Sequence, residues 1–225
     1  MTKRSKFFLA FTIVLLASSS GWAQQRRKVI INQDGSGPGG SNMQTDQARQ
    51  DQILHGRALV VSHACGDCHG GGSNPASFGW LDGARSPVLD VQFFKIGPFT
   101  TRAKNLTPDN TTGTGRFTER QLFNALRYGL RPEETPDVEI TSTVPGQGNF
   151  PAHPHYLAIP MPWPSWRHMQ DADLWAIAAY LKSLKPVNHK VEDSEGPPDF
   201  WASEYTVEKI GPYPAVAYPT ANEKR

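Results

Sequence analysis

The chain has 225 residues, with 23 lysines and arginines against 21 acidic residues and a formal net charge of +2. Neither this net charge nor any basic tract indicates a nucleic-acid partner, and none is expected. The length suffices for one domain with a hydrophobic core, while 20 glycines and 19 prolines indicate much irregular structure. Its two cysteines lie three positions apart, so all the cysteine chemistry is concentrated at one place.

Residues 1–23 have the order of a secretory signal peptide. Three basic residues precede an apolar stretch at 7–17, and small residues would allow cleavage before Gln24. The stretch is short for a membrane span, so an uncleaved anchor is the alternative. Cleavage leaves 20 basic and 21 acidic residues, a net charge of −1. We expect a periplasmic protein that is membrane-associated only if this segment is retained.

Residues 24–43 form a predicted flexible linker, because 34–41 contains no apolar side chain. A helix is predicted to begin at Thr45 or Asp46 and to run to about Ser62. Gly56 lies in its middle, where glycine costs about 1 kcal/mol relative to alanine. Either another helix approaches closely there, or the glycine is simply tolerated.

This helix leads into Cys65-Gly66-Asp67-Cys68-His69, a Cys-X-X-Cys-His motif that is typical of c-type haem attachment. Each thiol can form a thioether with one porphyrin vinyl group, and His69 can then supply an imidazole nitrogen to iron. Three alternatives are less favoured. A redox dithiol belongs in a strand-then-helix context, a closed zinc site needs four ligands, and a disulfide across two residues is strained. The sequence therefore predicts one covalent haem.

Residues 70–115 are rich in glycine, threonine and proline, which predicts a long haem-wrapping loop with little regular structure. Its apolar residues are too numerous for a free loop. We expect them to form a wall on the His69 side of the haem; they are Phe78, Trp80, Leu81, Val88, Leu89, Val91, Phe93, Phe94 and Phe99.

The next predicted helix begins after Thr118, which forms a capping box with Gln121, and ends at Gly129. Its buried face is expected to contain Leu122, Phe123, Ala125 and Leu126. Residues 131–150 follow, with an acidic, proline-broken section at 132–137, and are interpreted as a solvated loop.

The last predicted helix begins near Gln170 or Asp171 and is stopped by Pro186. Residues 187–225 form a proline-rich tail. We expect part of this tail to pack on the body of the protein or on a partner, because it contains the aromatic residues Phe200, Trp201, Tyr205, Tyr213 and Tyr218.

Met161 is the predicted second iron ligand. Pro160 and Pro162 flank it and restrict the backbone on both sides, so its thioether is rigidly presented. Met169 is the alternative, although it is expected to pack as a hydrophobic residue. Met43, in the predicted linker, is a weaker candidate, and His153 and His155 lie in a proline loop where solvated histidines are the usual case.

With these segments, the chain resembles the class I cytochromes c, and more narrowly the exported cytochromes that serve bacterial dehydrogenases. The resemblance runs from about Gly56 to Val187. It rests on four segments, which are 63–69, 105–115, 117–129 and 161–184. Gln170 is a departure, because relatives often have threonine or serine there.

The resemblance implies an all-α cytochrome c-like fold around one covalently bound haem, with long irregular loops and a proline-rich tail. The cytochrome domain is placed at 44–186 and the tail at 187–225. The first and last helices are expected to cross where Gly56 meets Tyr180. His69 and Met161 are implied as the axial ligands. Some relatives carry two or three haems, whereas this sequence contains one motif.

The function expected from this resemblance is electron transfer without catalytic residues. The donor is expected to be a periplasmic dehydrogenase, and the acceptor an oxidase or another cytochrome. An obligate cytochrome subunit of a dehydrogenase is the alternative. A haem enzyme such as a peroxidase is less favoured, because a bound Met161 leaves iron no free position for peroxide.

Overall fold

The computed structural model describes residues 40–85, 93–195 and 201–210. The predicted signal peptide, and the predicted linker as far as residue 39, lie outside these residues. The helices and strands are α1 (Gly40–Ser62), α2 (Cys65–His69), β1 (Phe93–Ile96), β2 (Phe99–Arg102), α3 (Glu119–Tyr128), α4 (Trp163–Trp166), α5 (Asp171–Ser183) and α6 (Val207–Ile210). No helix in the described part of the chain is long and apolar enough to cross a membrane.

Helix α1 begins at Gly40, earlier than the predicted start, and crosses α5 at Gly56. A side chain at Gly56 would place its Cβ 1.8 Å from the carbonyl oxygen of Ala176 and 3.0 Å from the Cβ of Tyr180. At the same crossing, His55 Nε2 lies 2.7 Å from Asp173 Oδ1. The predicted close approach of another helix is therefore confirmed, and glycine is required there for steric reasons.

Helices α3 and α5 build most of the core. The capping box at the start of α3 is present, since Gln121 N donates to Thr118 Oγ1 over 3.1 Å and Thr118 N to Gln121 Oε1 over 3.0 Å. Gly129 ends the helix with φ 67°. The four residues predicted for the buried face are all buried. Leu122, Phe123 and Leu126 pack in one cluster with the apolar face of α5, which includes Leu174, Ile177, Ala178, Tyr180 and Leu181.

A hairpin of β1 and β2 interrupts the predicted irregular loop. The strands are antiparallel, and the register pairs Phe93 with Arg102 and Ile96 with Phe99. Gly97, with φ 58°, makes the turn. The prediction of little regular structure is wrong here, because two short runs of aromatic and β-branched residues flank a Gly-Pro turn. The fold is thus helical with a small sheet rather than purely all-α.

Residues 131–150 are not simply a solvated loop, and that prediction is wrong for their buried part. Leu130, Ile140 and Phe150 form a second small core. The loop is anchored to α3, because Gln121 Nε2 donates to Thr135 O over 2.8 Å and Asn124 Nδ2 to Val138 O over 3.0 Å. The side-chain amides of these two α3 residues thereby donate hydrogen bonds to carbonyl groups of the loop.

The tail packs on the body in the two stretches that the structure describes. Segment 187–195 lies along β2, where Glu195 N donates to Thr100 O over 2.8 Å and Arg102 N to Ser194 Oγ over 2.9 Å. Trp201 is fully buried. The predicted packing is confirmed for Trp201 and Tyr205, whereas Phe200, Tyr213 and Tyr218 lie outside the described residues.

Candidate functional site

Helix α2 holds the cysteine–histidine motif in a little more than one turn. Ala64 precedes it with φ 54°, which reverses the chain after α1. A Cβ on Gly66 would lie 2.1 Å from the carbonyl oxygen of Gly72 and 2.4 Å from the indole of Trp80. The helix is therefore held tightly against the loop that follows. Cys65 is buried, Cys68 is half-buried, and both are free thiols.

Burial raises the pKa of Cys65 to about 12, and burial also raises the pKa of Cys68. A redox dithiol needs a cysteine whose pKa is lowered, so that the reactive thiolate is populated near neutral pH. Here the pKa values of both cysteines are raised instead of lowered. The dithiol interpretation consequently has no support from the environment of these two thiols.

His69 directs one ring nitrogen at the backbone. Its Nδ1 lies 2.7 Å from the carbonyl oxygen of Lys104. A carbonyl can only accept, so Nδ1 carries the proton and the lone pair is on Nε2. Burial lowers the pKa of His69 and favours the neutral ring. A neutral imidazole with one nitrogen fixed by a carbonyl is the form that ligates a metal through its other nitrogen.

Backbone hydrogen bonds fix the position of the Lys104 carbonyl. Ala84 N donates to Ala103 O over 2.9 Å, and Leu106 N donates to Leu81 O over 2.8 Å. On the other side of the same loop, Gly83 N donates to His69 O over 2.8 Å. Residues 81–84 therefore connect His69 with the segment that follows β2 and carries its acceptor.

Asn105 lies next to Lys104 and is 2% exposed. Its Nδ2 donates to Val187 O over 2.8 Å and to Thr112 Oγ1 over 3.1 Å. Its Oδ1 accepts from Thr107 N over 2.9 Å and from Thr107 Oγ1 over 2.8 Å. The Asn-Leu-Thr-Pro segment thus binds the start of segment 187–195 and secures the chain that holds His69.

Met161 is half-buried and packs against the core cluster that also contains Cys65. Its backbone N–H donates to Ala158 O over 3.0 Å. Met169 packs against the same cluster, so Met161 as the second ligand stays a prediction that rests on its flanking prolines. Met43 lies within α1.

Trp163, at the start of α4, is 1% exposed and packs over Gly129. A Cβ at Gly129 would lie 2.2 Å from the indole ring of Trp163. The segment that carries Met161 is therefore seated directly on the end of α3.

The two other candidate histidines have different surroundings. His155 Nδ1 pairs with the carboxylate of Glu134, and His153 is exposed. Within residues 40–85, 93–195 and 201–210, no group of three or more histidine, cysteine or acidic side chains could hold a separate metal ion.

The predicted apolar wall is only partly formed. Leu81 is fully buried, and Trp80 packs on the core while its Nε1 donates to Tyr180 Oη over 3.0 Å. Phe78 is 86% exposed and has the Arg85 guanidinium 4.6 Å above its ring, so its assignment to the wall is wrong. Val88, Leu89 and Val91 lie outside the described residues.

The residues of α2 fit a covalently attached haem. They offer two free thiols at the required spacing and, beside them, a neutral imidazole whose Nε2 is available. Sequence reasoning missed the Lys104 carbonyl and the role of Asn105, although it noted the segment that contains them. It also missed α4, for which Pro164 within the first turn was the available signal.

Comparisons with known proteins agree with this chemistry. The model of the family described as cytochrome c matches residues 53–185. The chain is 32% identical over 149 residues to the gluconate 2-dehydrogenase cytochrome c subunit of Pantoea cypripedii, covering 61% of this chain and 27% of that protein. It is 25% identical over 142 residues to the fructose dehydrogenase cytochrome subunit of Gluconobacter japonicus, covering 63% and 23%.

A third relative is a nicotinate dehydrogenase subunit from Pseudomonas putida, 28% identical over 138 residues. There the match covers 61% of this chain and 9% of the relative. This chain thus spans little more than a quarter, or less, of the length of the relatives it matches.

Proposed function

This chain belongs to the cytochrome c family, and from that premise we propose that it is an electron-transfer subunit of an exported dehydrogenase. In this proposal it accepts electrons from the dehydrogenase and passes them to an oxidase or to another cytochrome. The observation that carries the proposal is the 2.7 Å contact between His69 Nδ1 and Lys104 O, beside two free thiols. It would leave Nε2 to ligate iron and the thiols for covalent attachment.

Haem c, when bound, supplies a one-electron ferric/ferrous couple. Cys65 and Cys68 would hold it covalently, and His69 Nε2 would ligate iron. Met161 is proposed as the second ligand, because a thioether favours the ferrous state and raises the reduction potential. The chain then performs no bond-making chemistry of its own. Its residues hold the redox centre, exclude water from it and set its potential.

The partner class is supported by the names of the three relatives, each of which is a subunit of a dehydrogenase. A subunit agrees better with them than an independent carrier does. One haem per chain is proposed because the motif occurs once. Export is proposed from residues 1–23, since c-type attachment takes place outside the cytoplasm.

Purification of the protein from its native host tests this function. We expect the mature chain to begin near Gln24, to exceed the polypeptide mass by one haem, and to retain that haem through acid–acetone extraction. A dehydrogenase should co-elute with it, and addition of that enzyme's substrate should reduce the haem band.

The matched control for attachment is a Cys65→Ala, Cys68→Ala chain, which should lose the haem on extraction. A haem that extracts freely from the natural chain would contradict covalent attachment. A holoprotein that elutes alone, and that no co-expressed dehydrogenase reduces, would favour an independent carrier.

A further inference from the structure

We propose that tail segment 201–210 positions the Met161 loop (157–167), and that Tyr205 is the positioning residue in this contact. The inference rests on the proposed function, because it concerns how firmly Met161 is held toward iron. It assigns a role to a part of the tail that lies beyond the region matched by the family model, which ends at residue 185.

The first observation is a cluster of three aromatic rings. The ring of Tyr205 lies 4.7 Å from the ring of Trp163, at an interplanar angle of 62°, and 5.4 Å from the ring of Tyr156. Tyr156 and Trp163 are themselves stacked 5.6 Å apart. Trp163 follows Met161 by two residues, so a ring held by the tail restricts the backbone that presents the thioether.

The second observation is that the tail also bonds both ends of the loop. At the start, Tyr205 Oη donates to Leu157 O over 3.2 Å. At the end, the 2% exposed Arg167 donates from Nη2 to Ile210 O and from Nε to Pro164 O over 3.0 Å. Two contacts at opposite ends limit the movement of the loop more than one contact could.

The loop also has hydrogen bonds of its own and one to the end of α3. Met161 N donates to Ala158 O, and Leu157 N donates to Gly129 O over 2.7 Å. These bonds hold the loop where it meets α3. The ring of Tyr205 and the carbonyl group of Ile210 hold it where it meets the tail. Loosening of the tail contacts should raise the fraction of molecules in which Met161 is away from iron, by population shift.

The experiment compares holoprotein variants at Tyr205. In Tyr205→Leu, loss of the ring contacts and of the hydroxyl should speed carbon monoxide binding to the reduced protein by about 5–30-fold. Tyr205→Phe keeps the ring and loses the hydrogen bonding of the hydroxyl, so the rate should rise by about 2–10-fold. The near-infrared band of sulfur-to-ferric-iron ligation should weaken in the same order.

Lys209→Ala is the matched control in the same tail segment. Lys209 Nζ bonds Ser203 O and Glu204 Oε2, both 3.0 Å away and both within the tail. Its removal should leave the band and the carbon monoxide rate unchanged. A merely structural role of the tail would lower overall stability in the Tyr205 variants without changing these two signals at native conditions.

Two reference variants separate failure of this inference from failure of the proposed ligand. Met161→Ala should abolish the band and Met169→Ala should retain it. If Met161→Ala keeps the band, the proposed ligation is wrong and the inference falls with it. If Met161→Ala loses the band while Tyr205→Leu matches the wild type in both signals, the ligation stands and the positioning role is overturned.

If Tyr205→Leu yields no holoprotein, urea titration of Tyr205→Phe tests the positioning role instead. In Tyr205→Phe, the near-infrared band should be lost at a lower urea concentration than the far-ultraviolet helical signal. A smaller difference between these two midpoints in the wild type supports the inference. Equal shifts of both midpoints overturn it.

Discussion

The two segments that carry the proposed iron ligands are held by different kinds of contact. His69 is fixed through a polar network, in which backbone groups of 81–84 and the side chain of Asn105 hold the Lys104 carbonyl. The Met161 loop is fixed mainly through rings, with Trp163 packed among Tyr156, Tyr205 and Gly129. One ligand therefore depends on hydrogen-bond direction, and the other on buried aromatic surface.

The difference follows from what each ligand needs. An imidazole ligand must be held in one tautomer and one ring orientation, and a directional hydrogen bond to its second nitrogen supplies both. A thioether has no second polar atom to fix, so its position depends on the backbone that presents it. Packed rings restrain that backbone through buried contact area, and the Tyr205 hydroxyl adds one bond to Leu157 O.

The largest expected effect is on the aromatic side. Trp163→Ala removes a ring that is 1% exposed, and we expect the free energy of unfolding to fall by about 3–5 kcal/mol in urea titrations. Phe78→Ala is the control, because a side chain that is 86% exposed should cost at most about 1 kcal/mol. Equal costs for the two variants would contradict the importance of the aromatic cluster.

The next effect is on the polar side. Asn105→Ala leaves the buried Thr107 N–H without its acceptor and removes one of the two donors to Val187 O, which should cost about 2–3 kcal/mol. The near-infrared band and the helical signal should be lost together on urea titration, since the Met161 loop is untouched. Asn110→Ala, at an exposed site in the same loop, should stay within about 0.5 kcal/mol of the wild type.

If the band were instead lost early in Asn105→Ala, the two segments would be one coupled unit. The contrast between polar and aromatic anchoring would then be wrong.

The smallest effect is a difference in alkaline sensitivity. Burial raises the pKa of Tyr205 from 10.0 to about 12, and burial also raises the pKa of Tyr156. The pKa of Tyr205 in the folded protein lies above its value in the unfolded chain. The contribution of the neutral phenol to the free energy of unfolding is therefore complete below pH 10 and is lost as the pH approaches 12. Residues 100–107 and 187–195 contain no tyrosine.

Stepwise alkaline titration of the holoprotein should therefore weaken the near-infrared band between pH 10 and 12. In Tyr205→Phe, the free energy of unfolding should fall less between pH 10 and 12 than it does in the wild type. An identical alkaline profile in Tyr205→Phe would show that the tail contact is not linked to ionisation of this phenol.

Much of the fold was predictable because its signals are local. Thr118, Gln121 and Gly129 encode the two ends of α3 within a short stretch of sequence, and the structure shows both ends as predicted. The Cys-X-X-Cys-His motif likewise carries its chemistry in five consecutive residues. Gly56 was compatible with either a close helix crossing or a tolerated glycine. The contact with the Ala176 carbonyl in the structure decides for the crossing.

The contacts that were missed join residues far apart in sequence. The acceptor for His69 is a backbone carbonyl, and any residue type at position 104 offers one, so no side-chain pattern could indicate it. Asn105 binds Val187, a partner 82 residues away. The hairpin was missed for another reason, because its apolar strands were interpreted as part of a wall rather than as a paired unit.

The crossing of α1 and α5 has a consequence for folding. Its contact between His55 and Asp173 joins positions 118 residues apart, so this docking contact of α1 forms only when the last helix is present. Closing so long a loop slows the search for the native contacts, although the added entropy grows only slowly with length. Before that closure, the short segment after α1 is displayed on an open chain, where an assembly factor can reach both thiols. In the folded chain Cys65 is buried in a cluster that includes residues of the last helix, so the addition of this helix should reduce access to that thiol.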